Sequence, residues 1–221
     1  MVLVFIMGAA VLSFCGLGLL QHFRTAALAR RAHESGLHFS AEDAFDAPRR
    51  CAAFAICSAG HSPQASNVTY GRVRGLPVRA FDFRYEVGHG TRRSTRYYFV
   101  VLLEAPAPLG AVLMWNRRDQ GGAPPAARLP EGTCGDWSYR GDGAAAARLA
   151  ASCEALAGSG VSVEVREEAL MLCFPVHRRS SSYTPWLEMA PGLIDSFDLS
   201  DPDECPAKAP NETVANRPPA C

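Results

Sequence analysis

Residues Val2 to Leu20 carry no charged and no strongly polar side chain. An α-helix rises about 1.5 Å per residue, and bilayer hydrocarbon is about 30 Å thick, so roughly 20 residues cross it. The run predicts a transmembrane helix over residues 1–21, with the lipid bilayer as its partner through residues 2–20. Gly8 and Gly16 stand too far apart for a GxxxG dimer face. Past the apolar run, Ala26, Ala27, Leu28, Ala29 and Ala32 favour continued helix, and Gly36 is a natural stop. A juxtamembrane helix is therefore expected over residues 22–36.

The pattern then changes period. Leu37, Phe39 and Phe45 read as apolar docking points on a loop, and Ala47-Pro48 is read as the end of any helix. The short apolar stretch from Cys51 to Cys57 fits no single period. Val68 to Arg74 predicts a strand, Arg74-Gly75-Leu76-Pro77 a turn, and Val78 to Val87 a second strand. Phe81, Phe83, Tyr85 and Val87 alternate with Asp82, Arg84 and Glu86, so the two sets face opposite ways. Gly88-His89-Gly90 breaks the run, and Ser94 to Glu104 predicts a third strand. These three read as an antiparallel meander with one buried face. Leu109 to Trp115 and Trp137 to Arg140 are further strand candidates.

Asp142 is placed to cap a helix over Gly143 to Ala157, whose Leu149, Cys153 and Leu156 form a helical stripe. Val161, Val163 and Val165 alternate, Glu167-Glu168 turns the chain, and Leu170, Leu172 and Phe174 alternate back, which predicts a hairpin. The predicted class is α+β: a mainly antiparallel sheet domain over residues 37–200, with one or two packed helices behind an N-terminal transmembrane helix. Residues 201–221 are polar and rich in proline, and are expected to form a disordered tail.

Composition supports a globular domain. Hydrophobic residues make up 48% of the 221 and charged residues 20%, with a net charge of zero. A bulk pull on nucleic acid is therefore not expected. Lys208 is the sole lysine, a bias that reads as the compositional habit of an Ala-, Gly- and Pro-rich source. Orientation follows from the flanks. Nothing basic precedes the apolar run beyond the amino terminus, and Arg24, Arg30 and Arg31 follow it, which predicts a cytoplasmic domain. The alternative is a cleaved signal peptide ending at Ala27-Leu28-Ala29. It lacks a charged start, and Arg24 interrupts it.

One segment carries a resemblance. Gly71, Arg74, Gly75, Pro77, Val78, Ala80, Phe81, Asp82, Phe83 and Tyr85 are followed by an aromatic strand, Tyr97 to Leu103. This resembles a family of bacterial single-pass membrane-anchored proteins over roughly residues 1 to 175. The resemblance implies a tethered α+β domain and carries no activity. Read physically, the motif is scaffold: Gly75 and Pro77 set a turn, Phe81 and Phe83 fill a core, and Asp82 is expected to pair with an arginine such as Arg96.

Candidate chemistry is sparse. Cys51, Cys57 and His61 have C-x5-C-x3-H spacing, wider than structural zinc sites use, and no CxxC occurs. Eight cysteines leave seven beyond Cys15, an odd number. Cys153 and Cys173 fall on buried patterns. Should the domain face an oxidising compartment, Cys51 with Cys57 and Cys205 with Cys221 become candidate bridges. His89 beside Arg92 and Arg93 forms one basic loop, and His177 to Ser182 a second; either suits an anionic lipid surface. Asn67-Val68-Thr69 and Asn211-Glu212-Thr213 match the glycosylation sequon. There is no Walker A loop, HExxH, GxSxG or dinucleotide fingerprint. The sequence thus assigns no catalytic residue, no cofactor and no metal. It favours a non-enzymatic interaction module at the cytoplasmic membrane surface, with a protein or anionic-lipid partner and no nucleic acid. Two rivals stand beside it: a tethered hydrolase using Cys51, Cys57 or His61, and a disulfide-stabilised envelope protein.

Overall fold

The apolar run and the stretch after it form one unbroken helix, α1 (Val2–Glu34). Its length is about 50 Å at 1.5 Å per residue. The stop is a Schellman motif: Gly36 takes φ 69°, its N–H bonds to His33 O at 3.0 Å, and the Leu37 N–H reaches back to Ala32 O at 2.8 Å. The computed structural model describes residues 2–106, 108–117, 130–156, 158–175, 186–187 and 189–193, and only the backbone of residues 2–5, 9 and 17.

After α1 come β1 (His38–Glu42), α2 (Ala47–Arg50), β2 (His61–Val73), β3 (Leu76–Val87) and β4 (Ser94–Glu104). There follow β5 (Ala111–Asn116), β6 (Gly132–Cys134), β7 (Trp137–Gly141), α3 (Gly143–Ser152), β8 (Ser162–Arg166) and β9 (Ala169–Pro175). The described strands make one nine-stranded sheet in the order β1-β2-β3-β4-β9-β8-β5-β7-β6, and every pairing is antiparallel. The fold is α+β, a large antiparallel sheet with few helices. Strands β1 to β4 are a meander. The β8–β9 hairpin then inserts between β4 and β5, closing a gap left by the chain. Its turn is stitched to the β4–β5 connection, where the Ala105 and Leu109 N–H groups donate to Glu168 O and Glu167 O at 2.7 and 2.8 Å.

The β2–β3 hairpin shows why the register holds. Val73 pairs with Leu76, leaving the two-residue loop Arg74-Gly75, with φ 50° and 83°. Positive φ at both positions is the loop twist that matches a right-handed strand pair. Pleating then sends Phe81, Phe83 and Tyr85 to one face, and Val78 and Ala80 to the other.

Both faces are covered, where one buried face was expected. On the first, Phe81, Phe83, Tyr98, Val100 and Met171 pack under Phe54 and Ile56 from the segment after α2. On the second, Ala80, Val101, Leu103 and Leu172 pack against Leu28 and Ala32 of α1, and against Ala145 and Leu149 of α3. Central strands β4 and β9 are accordingly apolar in runs, as strands buried on both faces must be.

Boundaries differ from expectation in several places: β3 starts at Leu76, so that Pro77, expected in the turn, pairs with Arg72 in the ladder, and β5 starts at Ala111 instead of Leu109. The supposed loop after Gly36 is strand β1, paired to β2 from His38↔Tyr70 to Glu42↔Ser66. β2 begins at His61 rather than Val68, because ladder pairing with β3 overrides the low strand propensity of Ser62-Pro63-Gln64. Pro48 opens α2 instead of ending a helix, since the first helical turn needs no proline N–H. Finally, α3 ends at Ser152, and a 3-10 turn, Glu154–Leu156, replaces its last turn. The tail expected over 201–221 lies outside the described residues.

Candidate functional site

The helix leaves its apolar stretch and meets the sheet at Arg24. The Arg24 guanidinium donates from Nη1 and Nη2 to the two carboxylate oxygens of Asp82, at 2.7 and 3.0 Å. Asn67 Nδ2 donates to Asp82 Oδ2 at 2.8 Å, and Thr25 Oγ1 donates to Asn67 Oδ1 at 3.3 Å. Two consecutive helix residues thus hold β2 and β3. Asp82 pairs with Arg24, correcting the expected Arg96. Asp82 and Arg96 stand on opposite faces of the sheet: Asp82 faces Phe99, while Arg96 is opposite Tyr85. Four and eight residues beyond Arg24, Leu28 and Ala32 enter the core. Asn67 is buried and bound to Asp82, which leaves the first sequon no room for a glycan in the folded domain. The second sequon lies outside the described residues.

The groups singled out for chemistry do not converge. Cys51 and Cys57 are sealed in the core beneath β3. A hydrogen bond to Cys51, and then burial, hold the Cys57 thiol far above its ordinary value. Such a thiol is a poor nucleophile. His61 sits elsewhere, its Nε2 2.8 Å from Gly88 O and its ring stacked on His89 at 5.0 Å. Among the described residues no set of three His, Cys, Asp or Glu side chains is disposed to hold a metal. Cys15, Cys51, Cys57, Cys153 and Cys173 stand as free thiols. Burial pushes the Cys153 thiol up to about 12, the residue capping the C-terminal end of α3 inside the core. Cys205, Cys221 and the basic loop from His177 to Ser182 lie outside the described residues.

Pattern reading missed Glu164. It is 3% exposed, on β8 between Val163 and Val165. Burial raises its pKa, while hydrogen bonds from Arg166 and the Ala55 amide oppose the rise. Those bonds are 2.7 Å each. Its signal in the sequence was an acid flanked by two inward valines. Beside it lies a cleft of about 370 Å³, lined by Ala55, Leu113, Glu131, Arg140, Glu164 and Arg166. Arg140 pairs with Glu131 at 3.3 Å and Arg166 with Glu164 at 2.7 Å, so the cleft's charges cancel.

The fold has a solved counterpart. It is similar to the crystal structure of the mycobacterial trehalose monomycolate transport factor A, TtfA, with a TM-score of 0.53 and 15% identity. The match covers 79% of this chain and 92% of that chain. What the two share is the fold. No family model matches the chain, and no curated protein matches it in sequence.

Proposed function

We propose that the protein is a membrane-anchored interaction module, tethered by α1, with its sheet domain at the cytoplasmic surface. One observation carries this reading: from Ile6 to Phe23 the described side chains of α1 are exposed. Ile6, Met7, Val11, Leu12, Phe14, Leu19, Leu20 and Phe23 are all more than half exposed. Leaving such side chains in water costs roughly 1.5–3 kcal/mol each, so the arm needs an apolar medium. The length suits a bilayer, and Arg24 marks where the chain turns to ionic contacts with the domain. The candidate nucleophiles are buried apart from His61, which weighs against the hydrolase reading. A domain of this fold occurs in a protein named as a transport factor. That fits an accessory role beside transport, by analogy of fold alone.

A reporter fused after Cys221 tests the topology. The positive flank predicts activity on the cytoplasmic side. A reporter active only on the outer side would overturn the orientation and bring forward the disulfide-stabilised envelope reading, which free-thiol counting then checks.

A further inference from the structure

Away from the anchor, the fold brings two thiols together. Cys51 and Cys57 lie in the segment between α2 and β2, which covers the first face of the sheet. That segment forms turns and no strand. The Cys51 N–H closes α2 on Ala47 O at 2.9 Å. The Phe54 N–H then donates to Cys51 O at 2.9 Å, and the Cys57 N–H to Phe54 O at 3.1 Å. Phe54 and Ile56 seat the segment on the apolar face formed by Phe81 and Phe83. In this seating the Cys57 thiol donates a hydrogen bond to the Cys51 sulfur. A third thiol of the same core, Cys173, is held in the sheet, where β9 pairs it with Val100 and Ser162, and it bonds to the Ser162 side chain.

The pair is asymmetric. The hydrogen bond from Cys57 holds the Cys51 thiol below its ordinary value; Arg79 and Arg50 assist, and burial and Asp43 oppose. The same bond shifts Cys57 upward. The first proton therefore leaves Cys51, and its thiolate is the nucleophile of the pair. Cys51 is followed by the exposed Ala52 and Ala53. Lifting the chain there breaks turns and no ladder pairing, so a molecule as small as hydrogen peroxide needs only a local opening to reach it. Among the described residues no third ligand makes the pair a metal site.

We propose that Cys51 and Cys57 are a peroxide-sensitive dithiol that closes to a disulfide and fixes the segment covering the first face of the sheet. The Cys51 thiolate attacks one peroxide oxygen; the O–O bond breaks and hydroxide leaves, giving a sulfenic acid on Cys51. The hydroxide takes up the proton that Cys51 released. Oxidation also removes the thiolate that held the Cys57 proton. The Cys57 sulfur then attacks the Cys51 sulfur, and the sulfenic hydroxyl departs with the Cys57 proton as water. Two thiols become one disulfide, and one peroxide becomes two waters. In a reducing compartment the resting state is the dithiol, and exchange with a small thiol reopens the bridge. The pair needs no membrane contact, so it stands apart from the anchor reading.

The test treats the full, folded chain in detergent with hydrogen peroxide, blocks the remaining thiols with N-ethylmaleimide, and maps tryptic peptides by mass. Cleavage after Arg50 and Arg72 leaves both cysteines on one peptide. Peroxide is expected to make that peptide lighter by two hydrogen atoms and to abolish its blocking, and dithiothreitol is expected to restore both thiols. Cys57→Ser is expected to stop at the sulfenic acid, captured on Cys51 by dimedone. Cys173→Ser is expected to leave the bridge forming as before. Full blocking of both cysteines after peroxide would overturn the proposal. So would a bridge that forms only once urea has unfolded the chain. A cross-link from Cys57 to the peptide carrying Cys173 would overturn the assignment of the pair.

Discussion

Arg24 and Asp82, 58 positions apart, form a two-point ion pair that ties the helix leaving the apolar stretch to the third strand of the sheet. Each side chain is about one-fifth exposed, so the pair is shielded without being fully desolvated. The planar guanidinium matches both carboxylate oxygens, which a lysine cannot do. The helix is therefore part of the domain's structure.

Removing either partner strands the other beside the core. Asp82→Ala is expected to lower stability by about 1.5–3 kcal/mol, the range for hydrogen bonds to charged groups. Arg24→Ala should add little to it, whereas Arg96→Ala should add independently. Urea midpoints of the full chain in detergent give the cycle. Strict additivity of Arg24→Ala and Asp82→Ala would mean that the pair contributes nothing.

Phe81 is 1% exposed at the centre of the face beneath Phe54 and Ile56. Phe81→Ala is expected to cost about 3–5 kcal/mol, from lost transfer energy and the cavity left behind. That is a large part of the roughly 5–15 kcal/mol that holds a domain together. Arg84→Ala, on the other face and exposed, should shift the urea midpoint little. Similar small shifts in both would place Phe81 outside the core.

Burial makes the folded protein hold the Glu164 proton more tightly than the unfolded chain does. The folded state then binds more protons, so stability falls as pH rises from the ordinary carboxylate range through the raised folded value. Below that range both states are protonated and the contribution is complete. Glu164→Gln removes the titration. Across the window the parent should lose stability relative to the variant, and the gap should level off above it. Parallel pH profiles would show that Glu164 titrates alike folded and unfolded.

What was legible in the sequence was whatever a local period specifies. The apolar helix, the β2–β3 turn and the β8–β9 hairpin each follow from spacing within some twenty residues. The same holds for Asp142, which accepts from the Ala144 and Ala145 amides at 2.8 and 3.2 Å as a helix cap should. Strand order was not legible, because the β8–β9 hairpin inserts beside β4 through contacts about 70 positions apart, such as Phe99↔Phe174. The β1 edge has too few apolar residues to signal a strand and forms by pairing with β2. Asp82's partner was misjudged for a related reason. Alternation assigns a residue to a face, but it does not say which helix crosses that face.

The most direct test of the anchor is membrane partition of the full chain, with intact mass measured on the product. An anchor built from α1 predicts that the chain stays in the membrane pellet after alkaline carbonate washing and leaves only with detergent. It also predicts a mass that includes Ile6 to Phe23. A chain released by carbonate, or one shortened to a start near Arg30, would contradict it.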